Sequence, residues 1–372
     1  MHGKKAVFLI GLLFVFTIAV LAAYTGGFLL PHASVVSPHI VPTPSNLPPI
    51  VSTHSYPFGK GSITITVPVS ISVYMGAKNT NKEVTLYGNI SEVVWVSDSY
   101  RSMVNDPAQE DLYLALTEEF KKIKTVKGLS DDEYLELITT FVQSLRYETL
   151  TDNPAKFPVE TVVVGSGDCD DKSLLLAGLL SHEGYHVALM SFGPETHMAV
   201  GVSADDYLYK NTNYTFIETT NFSFVGVPPD KLEGGRTLQS NPIIIPIGNG
   251  TKIYTSGKET RFINNIYLQS LQKTNELEPQ LKSIESDLKA RQERITQLEA
   301  QMKNLKNSGN IKDYNTQVSL HNDLVSNYNT HLSTYRALFT QYEHTAQVHN
   351  YILEHQFDRP GVYEYIQQNI PV

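Results

Sequence analysis

The chain's only cysteine, Cys169, stands in Gly167-Asp168-Cys169-Asp170-Asp171-Lys172-Ser173-Leu174-Leu175-Leu176, behind glycines that permit a tight turn and at the head of an apolar helical run. A thiol at a helix start feels the positive end of the helix dipole, which favours thiolate. A nucleophile of this kind needs a base, and His197 lies 28 residues downstream in the strand-like segment Thr196-His197-Met198-Ala199-Val200. The imidazole in turn needs a group to orient it, and Glu218 offers a carboxylate in the next strand-like run, Phe216 to Thr220. Cysteine, histidine and acid on helix, strand and strand form the pattern of a thiol acyl-transfer site.

Neighbouring residues can be assigned supporting or structural roles. Donors for the oxyanion would be the Cys169 amide at its helix start and Gln143, which lies in the helical phrase Leu137 to Leu145. Asp168, Asp170 and Asp171 fall in or beside the first helical turn, where carboxylates cap a helix. Holding calcium is the lesser reading, since their spacing is not that of an EF-hand loop. His182 and His186 are rival bases in sequence, but Ser181-His182-Glu183-Gly184-Tyr185-His186 reads as a glycine-capped helix C-terminus, where histidine complements the dipole. Trp95, the sole tryptophan, reads as part of a packed strand in Glu92-Val93-Val94-Trp95-Val96.

Between Tyr100 and Pro229 these phrases, with Phe141 to Tyr147 and Phe157-Pro158-Val159-Glu160-Thr161, resemble the transglutaminase-like branch of the papain-like superfamily, its microbial membrane-associated members above all. The resemblance implies Cys169 as nucleophile, His197 as general base and acid, and Glu218 as the orienting acid. Many members carry Asp at that third position, so Glu218 departs from the common pattern.

Composition limits the alternatives. A chain of 372 residues with 41% hydrophobic content has room for one or two folded domains. Its net charge of −9 argues against a nucleic-acid partner, and Lys121-Lys122-Ile123-Lys124 reads as a solvated helix end. One cysteine excludes an intrachain disulfide and a CxxC pair. A Cys169, His197 and Glu218 site calls for no cofactor and no metal.

The elements that must position these residues follow from periodicity. Lys4-Lys5 precedes an apolar run from Ala6 to Ala23 that weakens towards Leu30, and about 18 such residues can span a bilayer. Residues 1–30 are therefore expected to form a transmembrane anchor with the N-terminus cytoplasmic and the remainder outside, a cleavable signal peptide being the rival. Residues 31–57, rich in proline and serine, read as an extended spacer. Residues 58–98 alternate and read as β-rich, with Pro68 on an edge strand. Helices are expected over 109–124 and 130–147 within an α+β catalytic domain, residues 99–259.

From residue 260 to 358 a heptad seam runs through Leu281, Ile284, Leu288, Arg291, Ile295, Leu298, Met302 and Leu305. It resumes from Tyr314 to Tyr342 after the polar turn Asn307-Ser308-Gly309-Asn310, predicting an antiparallel helical hairpin or a self-associating coil, and residues 359–372 form a tail. The whole reads as a membrane-anchored, outward-facing cysteine enzyme acting on peptide or carboxamide bonds. Hydrolysis is favoured over transamidation, and the coil serves for docking or self-association. The alternative is a non-catalytic scaffold whose coil binds a protein partner.

Overall fold

A computed structural model of the chain describes residues 33–149 and 154–370. Strand β1 (Ser34–Val36) is followed by the hairpin of β2 (Ile50–Phe58) and β3 (Gly61–Val69), closed by Gly59 at φ 58°. Helix α1 (Ile71–Asn79), strand β4 (Thr85–Tyr87) and helix α2 (Glu92–Val104) come next. Then follow α3 (Glu110–Lys127), α4 (Asp131–Ser144), β5 (Arg146–Tyr147), α5 (Pro158–Val164), β6 (Ser166–Gly167) and α6 (Cys169–His182). Strands β7 (His186–Phe192), β8 (His197–Ser203), β9 (Tyr214–Ile217) and β10 (Ile243–Asn249) form an antiparallel sheet in the order β10-β7-β8-β9. The long helices α7 (Gly257–Asn307) and α8 (Ile311–Glu354) and the short α9 (Arg359–Asn369) complete the chain.

The core explains this order. Helix α6 buries Leu174, Leu175, Leu176, Leu179 and Leu180, apolar around most of its circumference because α3, α4, α5 and the sheet surround it. Helices α3 and α4 stand where two helices are expected. Gly128, left-handed at φ 67°, ends the first, and a reciprocal capping box between Ser130 and Glu133 starts the second. Strand β3 keeps strict alternation, with Ile63, Ile65, Val67 and Val69 turned into the core.

Several expectations need correction. The architecture observed is α+β, and among the described residues no helix is long and apolar enough to cross a membrane; the segment expected to do so, residues 1–30, lies outside them. The proline-rich stretch is not a free spacer. Ile40 is buried and donates its amide to Asp106 Oδ2 at 2.7 Å, and β2 begins at Ile50. Residues 58–98 are less β than helical, with helices over Ile71–Asn79 and from Glu92 onward. Ser70 caps α1 by accepting the Val73 amide, and the bare Gly76 lets that helix lie against the Val41 backbone, where a side chain would collide. Trp95 lies on helix α2, not on a strand: Val93 and Val94 face solvent, while Ser99, Met103 and Val104 are buried at helical spacing beyond the apolar run.

Helices α7 and α8 form an antiparallel hairpin within one chain, turning at Ser308-Gly309-Asn310. Leu281, Leu288, Ile295 and Leu298 are buried in its seam as the heptad requires. On α8 the seam drifts, so that Phe339 is 38% exposed while Leu338 turns inward. The hairpin's base is fastened to the α/β body by polar as well as apolar contacts. Arg359 Nε donates to Glu136 Oε1 of α4 at 2.5 Å and its guanidinium also pairs with Glu259, while the Tyr254 hydroxyl donates to the same Glu136 oxygen at 2.7 Å. Burial pushes the Glu136 carboxyl up and Arg359 pulls it back.

Removing one partner of a buried pair strands the other charge. Arg359→Met is expected to lower the unfolding free energy by about 3–5 kcal/mol, read from the denaturant midpoint. Adding Glu136→Leu should recover most of that loss, and unchanged stability in the single variant would show that the pair does not fasten the hairpin.

Candidate active site

The N-terminus of α6 is built before its cysteine can act. Asp168 accepts the Asp171 amide at 3.3 Å while Asp171 Oδ2 accepts the Asp168 amide at 3.2 Å, a reciprocal cap. Asp171 is held further by the Lys156 amide at 2.6 Å and its ammonium at 2.8 Å, and Glu148 grips that ammonium at 2.5 Å. Burial, then the charges of Asp170 and Asp171, raises Asp168 to about 7. Asp168 and Asp171 therefore cap the helix, and Asp170 accepts from the Tyr100 hydroxyl at 3.3 Å. Among the described residues no group of three or more side chains could hold a metal ion.

Cys169 is 2% exposed, with Sγ 3.5 Å from Asp170 Oδ1. Burial and then the Asp170 carboxylate push its thiol well above the ordinary range, opposed by a hydrogen bond from the Met198 backbone. The thiolate expected from the helix dipole is thus corrected. Desolvation and a carboxylate in contact outweigh a partial charge at the helix start, and the resting group is a thiol. Contact with the Met198 backbone sets the sulfur against β8, the strand whose first residue is His197.

His197 is buried and its Nε2 lies 3.2 Å from Glu218 Oε2, which leaves Nδ1 for other partners. Glu218 follows Ile217, the last residue of β9, which pairs with Val200 of β8 and so brings the carboxylate within two residues' register of His197. Its second oxygen, Oε1, accepts the Thr219 amide at 2.9 Å, the Thr220 amide at 2.8 Å and the Thr220 hydroxyl at 2.7 Å. Burial alone would raise Glu218, but His197 and the Thr220 donors together hold its carboxyl below the ordinary range. The turn that delivers His197 is strained and tied down. Thr196 is left-handed at φ 47°, its hydroxyl accepts from Arg236, and Glu195 accepts the Gln239 and Ser240 amides and the Ser240 hydroxyl.

Gln143 does not serve the oxyanion. Its amide nitrogen donates to the carbonyls of Glu218 at 2.8 Å and Ser223 at 3.0 Å, which uses both of its hydrogens. Its place is behind the site, tying α4 to the Glu218 loop. The Cys169 amide remains a candidate donor, since the first amides of a helix have no intrahelical acceptor. His182 stacks on Tyr113 at the far end of α6, and His186 contacts Ser203 and Tyr214 at the opposite end of the sheet from His197.

Lys172 is the residue that motif reasoning missed. Fully buried one turn beyond Cys169, its ammonium donates to the carbonyls of Gln143, Leu145 and Thr220 at 3.1, 2.9 and 3.2 Å. The available signal was a lysine two residues before the apolar run Leu174-Leu175-Leu176. In front of His197 opens a cleft of about 290 Å³, lined by Tyr147, Thr196, Asn221, Lys231, Glu233 and Arg236 among others. The Tyr147 hydroxyl donates to Glu233 at 3.2 Å, and burial followed by the nearby Cys169 raises its pKa.

No family model matches the chain, and comparison with curated proteins and with solved structures finds no similar one.

Because the thiol is held above the ~8.5 of a free cysteine, iodoacetamide alkylation of Cys169 should keep rising between about pH 7 and 9.5. A plateau established near pH 6 would show a resident thiolate instead. Lys172 generates a second expectation. Burial lowers it to about 8, with Glu218 pulling the other way, against about 10.4 for a free lysine. The folded state therefore binds fewer protons than the unfolded state between these values, and stability should rise as pH increases from about 8 to 10. Lys172→Met should remove that slope and, by stranding buried carbonyls, cost about 1–3 kcal/mol at pH 7; denaturant titrations at several pH values check both.

Proposed function

We propose that the chain is a cysteine acyl-transfer enzyme acting on peptide or carboxamide bonds, with Cys169 as nucleophile, His197 as general base and acid, and Glu218 as its orienting acid. The observation that carries this reading is the Glu218 carboxylate, buried with its Oε1 saturated by Thr219 and Thr220 and its Oε2 on His197 Nε2. Such an acid holds one imidazole nitrogen and leaves the other for a thiol. The sequence resemblance to transglutaminase-like enzymes supports the same roles.

The buried thiol shapes the mechanism. His197 takes the Cys169 proton as Sγ attacks the carbonyl carbon, so no thiolate need exist beforehand. The tetrahedral oxyanion is met by the Cys169 amide, and its collapse expels the amine, which receives the proton from His197. Water, losing a proton to His197, then attacks the thioester and returns the free thiol and a carboxylic acid. Hydrolysis is preferred to transamidation because the cleft in front of His197 carries polar groups.

A second reading, a non-catalytic scaffold, is favoured by one observation: Cys169 is 2% exposed and its thiol is held protonated. A diverse peptide mixture analysed by mass spectrometry separates the two. New cleavage or glutamine-deamidation products are expected from the wild type, with rates reduced by about 10²–10⁴ in His197→Ala and products lost in Cys169→Ala. Glu218→Gln should reduce the rate with the fold retained. Products that persist in Cys169→Ala, or none from the wild type, would leave the scaffold.

A further inference from the structure

Within the cleft before His197 the cations and the acids are not in the same condition. Glu195 stays ionised with its oxygens occupied by the Ser240 hydroxyl and the Ser240 and Gln239 amides, which hold its carboxyl down at about 2, and Glu233 accepts from the Tyr147 hydroxyl. Lys231 and Arg236, by contrast, line the same cleft with no carboxylate partner within 4.0 Å among the described residues. Arg236 spends one donor on the Thr196 hydroxyl at 2.9 Å and, of the five that a guanidinium carries, has others left. That bond also places the guanidinium next to the residue preceding His197. Asp168 and Asp170 stand at the N-terminus of α6 and do not line this cleft.

From this imbalance we infer that the cleft is a subsite for a carboxylate, and that the preferred substrates are acidic peptides whose glutamate or aspartate side chain, or C-terminal carboxylate, sits between Lys231 and Arg236. The inference rests on the proposed acyl-transfer reading for its chemistry but not for its binding. A guanidinium pairs with a carboxylate in a bidentate fork, and Lys231 adds a second charge from the same loop. The loop itself is built to present them: Leu232 donates to the Arg236 carbonyl at 2.7 Å, and Gly234 and Gly235 make the bend at φ 74° and 78°. Glu195 locks the loop's far end to the turn that carries His197, so the subsite and the base are held at one distance.

Two measurements test this without a known substrate. In Cys169→Ala, N-acetyl-glutamate amide should bind at least about fivefold more tightly than N-acetyl-glutamine amide by NMR titration, with the preference weakening in salt. Lys231→Gln should lose part of that preference, and the Lys231→Gln/Arg236→Gln pair all of it. In the wild type, the ratio of iodoacetate to iodoacetamide alkylation rates at Cys169 should fall severalfold in Lys231→Gln, the neutral reagent correcting for any change in thiol reactivity. Equal binding of the two amides, or a preference that survives both substitutions, would overturn the subsite. Carboxylate binding without turnover would sustain the subsite and sink the enzyme, whereas turnover of neutral peptides without carboxylate preference would do the reverse.

Discussion

The Lys172 ammonium, buried with its three donors on three carbonyls, is the interaction on which the rest of the site depends. Those carbonyls belong to the C-terminal end of α4, the residue after it, and Thr220 in the loop that holds Glu218. Lysine is among the residues least often buried, because a charge removed from water must regain the lost hydration from other groups. Here the open carbonyls at a helix end supply it, since the last four carbonyls of any helix lack intrahelical donors. One side chain on α6 thus fixes the distance from the helix of Cys169 to the loop of Glu218. Gln143 reinforces the same junction from the α4 side through the Glu218 and Ser223 carbonyls.

With that junction fixed, the electrostatics of the site divide cleanly. Glu218 is surrounded by donors and stays ionised, whereas Cys169 is surrounded by burial and a neighbouring carboxylate and stays neutral. A carboxylate that remains charged behind His197 would favour the imidazolium that the proposed reaction forms. In the proposed reaction charge separation is deferred to the moment of attack instead of being held at rest.

The Glu218 loop is also where the hairpin meets the body. Phe224 packs in one cluster with Ile263, Val348, Ile352, Val362 and Ile366, and Phe222 meets Phe357 edge to face at 5.7 Å. A smaller cavity of about 120 Å³ lies between this loop and the hairpin base. The base of a structure reaching across α7 and α8 is therefore contiguous, within a few residues, with the acid that orients His197. The Arg359 and Glu136 pair fastens the same base to α4 from the other side.

How much was legible beforehand depends on whether a feature is local. The helix starts at Ser130 and Asp168, the alternation of β3, the heptad seam of α7 and the order of Cys169, His197 and Glu218 are written in residue types at short spacing, and periodicity or capping chemistry reads them directly. Trp95 misled because four apolar residues in a row have no visible period, and burial at Ser99, Met103 and Val104 shows the helix only once its partners are in place. The proline-rich stretch misled because composition reports a lack of local preference and is silent on tertiary contacts such as the one between Ile40 and Asp106. Sequence alone determined which groups could be nucleophile, base and acid, since that depends on their intrinsic chemistry. Tertiary structure decided that the thiol is buried, that Gln143 faces backwards and that Lys172 sits at the centre, because desolvation and these hydrogen-bond partners come from residues tens of positions away, whereas the Asp170 carboxylate beside the thiol is its sequence neighbour.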